Sequence, residues 1–268
     1  MSIEEKKFEK LLVSVEEGIA VITINNPPAN SLGTQALTEL KEVLDEIETR
    51  KDIKVVITTG IGKFFVAGAD IKEMVSASPL EGRKMAALAH YNFEKLENLP
   101  QVTIAAVNGF ALGGGCEFAM GADFRYASET AQFGQPEVNL GTIPGWGGTQ
   151  RLPRLIGKGR AKEIIFTADM IPAQRAYEIG LVNKVVPGDG AALVEECKKT
   201  AKKIMTKSLV AVSFAKEAIN AGLDVDLKTG CKYEWELFSL TFATEDKKAG
   251  MTSFVEKGAK APVDFPGK

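Results

Sequence analysis

The chain reads as an α/β protein that ends in a helical module, and two observations carry that reading. Over the first 190 residues, β-branched runs alternate with amphipathic stretches at a cadence of roughly fifty residues, as a layered strand-and-helix core requires. From Ala191 onward strand-like runs cease and a helical period of apolar residues takes over. The join falls near Pro187 to Gly190, so residues 1–190 are expected to form the core and 191–268 a helical appendage.

Taken in order, Lys10 to Val15 and Ile19 to Ile24 are rich in β-branched residues about a Glu16-Glu17-Gly18 turn and predict a hairpin. Asn25-Asn26-Pro27-Pro28 stops the second strand. Leu37, Leu40, Val43, Leu44 and Ile47 recur at helical spacing, which predicts a helix over Thr34 to Thr49. Ile53 to Thr58 is a buried strand, Gly62 to Asp70 a loop, and Ile71 to Met74 the start of a helix. A helix over Leu80 to Leu96 is ended by Pro100, and the strand Val102 to Val107 leads into a glycine-rich stretch. Helices follow at about Gly148 to Leu155 and Ala161 to Thr167, then a strand-like Leu181 to Val186. Ala191 to Thr206, Leu209 to Ala221 and Asp226 to Phe242 are amphipathic helices.

Composition narrows the function. A formal net charge of −2 gives no electrostatic footprint for nucleic acid, and no basic run with interleaved aromatics occurs. No stretch approaches eighteen apolar residues, and the opening MSIEEKKFEK lacks the apolar region of a secretory signal, so no membrane partner is expected. Cys116, Cys197 and Cys231 are odd in number and widely spaced, which suits a reducing, cytoplasmic compartment. With His90 the single histidine and no carboxylate cluster at ligand spacing, no metal site is expected. His90 sits in a helical run without a GxSxG elbow, so a structural role fits it better than a catalytic triad. Neither GxGxxG nor GxxxxGK[ST] is present, which disfavours a nicotinamide or nucleotide-triphosphate enzyme.

The chemistry concentrates between Val107 and Gly148. Gly113 to Gly115 precede the apolar run Phe118 to Met120, marking a helix start whose first amides lack intrahelical partners. A bare amide there can receive a developing oxyanion. Glu117 lies about one turn beyond Gly114 on the same helix face. A second acid, Glu137, follows twenty residues later behind Pro136, which stiffens its segment and confines Gln135 to extended backbone. Read alone, the triple glycine is also compatible with close packing and Glu137 with a solvated loop. Ala67-Gly68-Ala69-Asp70 reads alone as a turn with Asp70 capping the next helix.

Together, VAGADIKEM, NGFALGGGCEFAM and AQFGQPEVNLGTIPGWGGTQRLPRLIG resemble the crotonase (enoyl-CoA hydratase/isomerase) superfamily, and within it the enoyl-CoA hydratases; the likeness runs through to FATEDKKAGMTSFVEK. The resemblance implies a crotonase-like ββα spiral with a C-terminal helical trimerisation module and a homo-hexamer built as a dimer of trimers. It implies syn addition of water to a trans-2-enoyl-CoA, with Glu117 activating the water and Glu137 protonating the α-carbon. Ala69 and Gly114 match the two oxyanion-hole amides, and Gly68, Ala69, Asp70, Ile71 and Lys72 the coenzyme A contact loop, where Lys72 acts by charge or through its backbone. Phe254 and Lys257 match positions through which the last helix meets coenzyme A. No separate cofactor is implied, coenzyme A being part of the substrate. An isomerase, another acyl-CoA lyase or hydrolase of the family, and a non-catalytic RNA-binding member are the alternatives. The paired acids argue against the isomerase and RNA-binding readings, and the acidic pI weighs further against RNA. Trp146 stands where many relatives carry a smaller residue, which bears on acyl length.

Overall fold

The hairpin forms as predicted: Leu11–Glu16 (β1) pairs antiparallel with Ile19–Ile24 (β2). The structure, a computed structural model, describes residues 2–258 and 262–268. Helix Thr34–Thr49 (α1) has the expected bounds and buries the expected face, Leu37, Leu40, Val43, Leu44 and Ile47. Strand Val55–Gly60 (β3) starts later than expected, and the following segment is not all loop, since Phe64–Val66 forms a short strand (β4). Helices Ile71–Met74 (α2) and Pro79–Asn98 (α3) follow, the second started by a capping box between Ser78 and Glu81.

The pattern then repeats. Val102–Val107 (β5), Phe110–Leu112 (β6) and Gly114–Met120 (α4) form the next turn of the chain, and Phe124–Ser128 (β7) and Gln132–Gly134 (β8) the one after. A 3-10 turn, Pro136–Leu140, and helices Gly148–Ile156 (α5) and Lys158–Thr167 (α6) come next. Ile171–Pro172 (β9), Ala173–Glu178 (α7) and Lys184–Val186 (β10) complete the core. Leu181 and Val182, expected in the last strand, instead donate their amides to the Ala176 carbonyl and close α7.

Among the described residues the strands form two sheets, one ordered β1-β2-β3-β5-β7-β10 and a smaller one ordered β4-β6-β8-β9. Successive turns of the chain thus add one strand to each sheet, which is the ββα spiral. The strand carrying Arg125 escapes hydrophobic patterning because a buried arginine interrupts it. Its guanidinium donates to the Leu181 and Ala122 carbonyls at 2.7 and 2.9 Å, which offsets part of the cost of burying the charge.

Two compact units are present, one made of residues to Leu99 with Thr103–Lys198, the other of Pro100–Val102 with Lys199–Lys268. The first holds the two sheets over one apolar core that includes Phe65, Phe93, Phe118 and Phe133. The helix Gly190–Met205 (α8) runs from the first into the second. The second unit contains Leu209–Gly222 (α9), Leu227–Thr241 (α10) and Glu245–Lys257 (α11), capped by Ser208, Asp226 and Thr244. Gly222 and Gly230 let α9 and α10 meet closely: a Cβ on Gly230 would stand 3.3 Å from the Gly222 Cα. The buried Asp246 accepts from the Ser208 hydroxyl at 2.6 Å and the Gly267 amide at 2.7 Å, tying the chain end to this hairpin.

Candidate active site

Three parallel strands of the small sheet end side by side. Val66 in β4 is in register with Ala111 in β6, and Leu112 in β6 with Gly134 in β8. The segments that leave their carboxyl ends therefore emerge together: Ala67 to Asp70, Gly113 to Glu117, and Gln135 to Glu137. Ligands in α/β folds bind at such ends, where loops converge over a rigid sheet.

The first segment is pinned by its neighbours. The Ala67 amide donates to Ala29, Leu32 donates to the Gly68 carbonyl at 2.8 Å, and Asp70 donates back to Leu32. Gly68 has φ +119°, a conformation L side chains rarely adopt. Asp70 caps α2 by accepting from the Lys72 amide at 2.9 Å, so its side chain serves the helix start. Glu73, one residue beyond Lys72, accepts from the Thr34 amide and hydroxyl at 2.9 and 2.7 Å and fixes α2 against the uncapped end of α1. Ile71 and Lys72 are exposed.

The second segment turns through Gly113, φ +52°, whose amide donates to the Gly134 carbonyl at 2.9 Å, and enters α4 at Gly114. Among the described residues neither the Ala69 nor the Gly114 amide donates to a protein acceptor. The two face one small volume: a Cβ on Gly114 would lie 3.4 Å from the Ala69 nitrogen, and one on Gly68 3.9 Å from the Gly114 nitrogen.

Glu117 is 1 % exposed. Its Oε1 accepts from the Trp146 amide at 2.8 Å and the Gly148 amide at 2.6 Å, so the carboxyl sits on the N-terminus of α5. Burial raises its pKa to about 7, and the two amide bonds oppose that rise without cancelling it. Glu137 occupies the 3-10 turn, and its carboxyl reaches the Gly113 backbone, where a Cβ would stand 2.9 Å from Oε1. Burial, with the negative charge of Glu117 behind it, also raises Glu137 to about 7. The fully buried Gln135 orients it: with its NH2 facing the carboxyl, the amide donates to Oε1 at 2.9 Å and Oε2 at 3.1 Å. The motifs singled out the two acids but not Gln135, nor the Trp146 and Gly148 amides. The one sequence signal for the latter was the glycine pair Gly147-Gly148 at a helix start.

Ala69, Gly114, Glu117 and Glu137 thus converge, with Gly68 and Asp70 shaping the turn behind Ala69. Phe254 and Lys257 belong to the second unit, exposed and one turn apart on α11. His90 faces the same loop as Trp146, its Nε2 donating to the Gly145 carbonyl at 3.1 Å, which is the structural role expected of it. Chemically, the arrangement offers two amides without a protein acceptor among the described residues and, beside them, two carboxyls whose pKa burial raises.

The family model for enoyl-CoA hydratase/isomerase matches residues 14–262, and the chain belongs to that family. It is 50% identical to the short-chain-enoyl-CoA hydratase of Clostridium acetobutylicum over 253 residues, covering 94% of this chain and 96% of that one. It is 48% identical to the crotonyl-CoA hydratase of Syntrophomonas wolfei over 93% of this chain and 96% of the other. Among solved structures, the enoyl-CoA hydratase of Bacillus anthracis superposes with a TM-score of 0.91 at 42% identity, over 97% of this chain and 100% of that one.

Proposed function

We infer that the chain is an enoyl-CoA hydratase, a hydro-lyase that reversibly adds water syn to a trans-2-enoyl-CoA to give a 3-hydroxyacyl-CoA. One observation carries this: a buried carboxyl, Glu117, and a half-buried one, Glu137, both raised to about 7, stand beside two amides that have no protein acceptor among the described residues. The thioester oxygen accepts from Ala69 and Gly114. As water oxygen bonds to the β-carbon, the double-bond electrons move toward the thioester oxygen, and the enolate charge develops where the amides already point. A single donor of this kind is typically worth about 3 to 4 kcal/mol of barrier. Glu117 takes a proton from the water and Glu137 delivers one to the α-carbon, so hydroxyl and hydrogen reach the same face.

Coenzyme A lies along the Gly68 to Lys72 loop, and Phe254 and Lys257 supply a further contact. The second unit supports a homo-hexamer, a dimer of trimers, because α10 leaves Trp235, Phe238 and Leu240 exposed, an apolar display suited to another subunit. Sedimentation at micromolar concentration should give the hexamer; a monomer would refute it. Three cysteines without a disulfide among the described residues suit a cytoplasmic setting.

Adding the protein to crotonyl-CoA should lower the ultraviolet absorbance of the conjugated thioester to an equilibrium value. An isomerase would leave it and would instead generate absorbance from a 3-enoyl-CoA, and a binding module would do neither.

A further inference from the structure

We propose that Arg151 is a positioning residue for Glu117: its guanidinium, held by Glu97, braces the Gly147 turn whose flanking amides carry the buried carboxyl. The inference rests on the hydratase reading above and adds a charged group to its two acids.

Arg151 stands where a helix disfavours a cation. It lies in the first turn of α5, its amide donating to the Gly147 carbonyl at 2.7 Å, and a helix start already carries partial positive charge. The first turn of α5 contains no acid, and its N-cap, Gly147, has no side chain to supply one. Anions from other elements answer the charge instead. Arg151 Nε and Nη2 donate to Glu97 Oε2 on α3 at 3.2 and 2.6 Å, and the arginine side chain is only 15 % exposed, so water screens this pair little.

The guanidinium also lies against the turn that holds the catalytic acid. A Cβ on Gly147 would overlap Arg151 Nη1, while one on the adjacent Gly148 would stand 2.9 Å from Glu117 Oε1. His90 meets the same turn: its Cε1 would lie 3.8 Å from that Gly147 Cβ, and its Nε2 holds the Gly145 carbonyl at 3.1 Å. His90 and Glu97 are two helical turns apart on one face of α3. The turn is therefore gripped from α3, directly by His90 and through Arg151 by Glu97, while its inner amides hold Glu117.

Charge accompanies the bracing. Burial is the largest influence on Glu117 and raises its pKa; the two amides and then the Arg151 charge lower it. The other ionisable groups near the carboxyl are Glu137 from the 3-10 turn and the buried thiol of Cys116 beside it on α4, which burial pushes up to about 12. Arg125 on β7 acts on that thiol, and β4 and β6, also packed against α4, carry no charge. Arg151 is thus the cation that favours the ionised form of Glu117, the form that accepts a proton from water.

The pH dependence of crotonyl-CoA hydration by the full-length enzyme tests this, with circular dichroism to establish folding. Arg151→Gln should lower kcat by about tenfold with KM little changed, as a loosened catalytic group would. Its acid limb should also move to higher pH, because Glu117 without its cation ionises later. The shift should be about half a pH unit, less than the roughly one to three units of an unshared neighbouring charge, since Glu97 shares this one. Arg151→Lys should return the limb toward its wild-type position while kcat stays reduced, because an ammonium keeps the charge and loses the planar fork. Glu97→Gln, which leaves Arg151 in place, should move the limb to lower pH. A folded Arg151→Gln variant with the wild-type limb, or a lysine variant no closer to wild type than the glutamine one, would overturn the proposal. Should Arg151→Gln not fold, an unmoved limb in Glu97→Gln would overturn it equally. A wild type that leaves crotonyl-CoA unchanged would instead remove the hydratase reading itself.

Discussion

The Gly148 amide donates to Glu117 Oε1 at 2.6 Å, and no side chain larger than hydrogen fits at Gly148 without displacing that acid. A Cβ there would stand 2.9 Å from Glu117 Oε1, 2.9 Å from the Gln135 amide end and 2.8 Å from Pro144 Cβ. Gly148→Ala should therefore keep the fold and lose about a hundredfold in kcat, in line with a misplaced catalytic group. Circular dichroism with crotonyl-CoA kinetics checks it; a folded variant at the wild-type rate contradicts the placement of Glu117.

Glu117→Gln and Glu137→Gln should each lower kcat by about two to four orders of magnitude while changing substrate binding little, because each group acts chiefly in the transition state. The double variant should fall by less than the product of the singles, since both act on one water. Steady-state kinetics and substrate affinity of the four proteins decide this. Near-normal turnover in either single variant removes the two-acid mechanism.

The pH dependence follows from the raised pKa values. One acid must be ionised and the other protonated, and both sit at about 7. Well below that value there is no base; well above it there is no acid. kcat/KM should accordingly trace a bell centred near neutrality, both limbs belonging to the pair. Either glutamine variant should lose one limb. A profile flat from pH 5 to 9 contradicts the assignment.

Stability should respond with a definite sign. Glu117 is raised in the folded state from an ordinary 4.5 to about 7, so folding favours its protonated form. Its contribution is fully present below about pH 4.5 and is lost as pH rises through 7. Glu117→Gln should then gain stability relative to wild type between these values, by on the order of 3 kcal/mol at most. Urea unfolding of both proteins at pH 4.5 and pH 8 measures it. A difference that does not change with pH shows that burial does not penalise the charged form.

Period and punctuation made much of this protein legible in its sequence. The α1 stripe from Leu37 to Ile47, the hairpin about Gly18 and the run of C-terminal helices follow from local patterning, which neighbouring elements only reinforce. The triple glycine likewise announced a helix start with bare amides, and Glu117 its place one turn along. Short strands such as Phe64–Val66, Phe110–Leu112 and Gln132–Gly134 escaped, because three residues carry too little periodicity to register.

Those short strands are what only the tertiary structure decided. Their parallel pairing brings Ala69, Gly114 and Glu137 to one edge from positions far apart in the chain, and no local pattern encodes a register between strands. The raised pKa values are equally nonlocal. Glu117 is an ordinary glutamate until the fold buries it against the amides of Trp146 and Gly148, and Glu137 until the fold half-buries it beside Gln135. The sequence on its own determined which groups were available for the chemistry. Their distances and desolvation arise from packing among distant segments, where the free energy of each group depends on neighbours that the chain supplies only once folded.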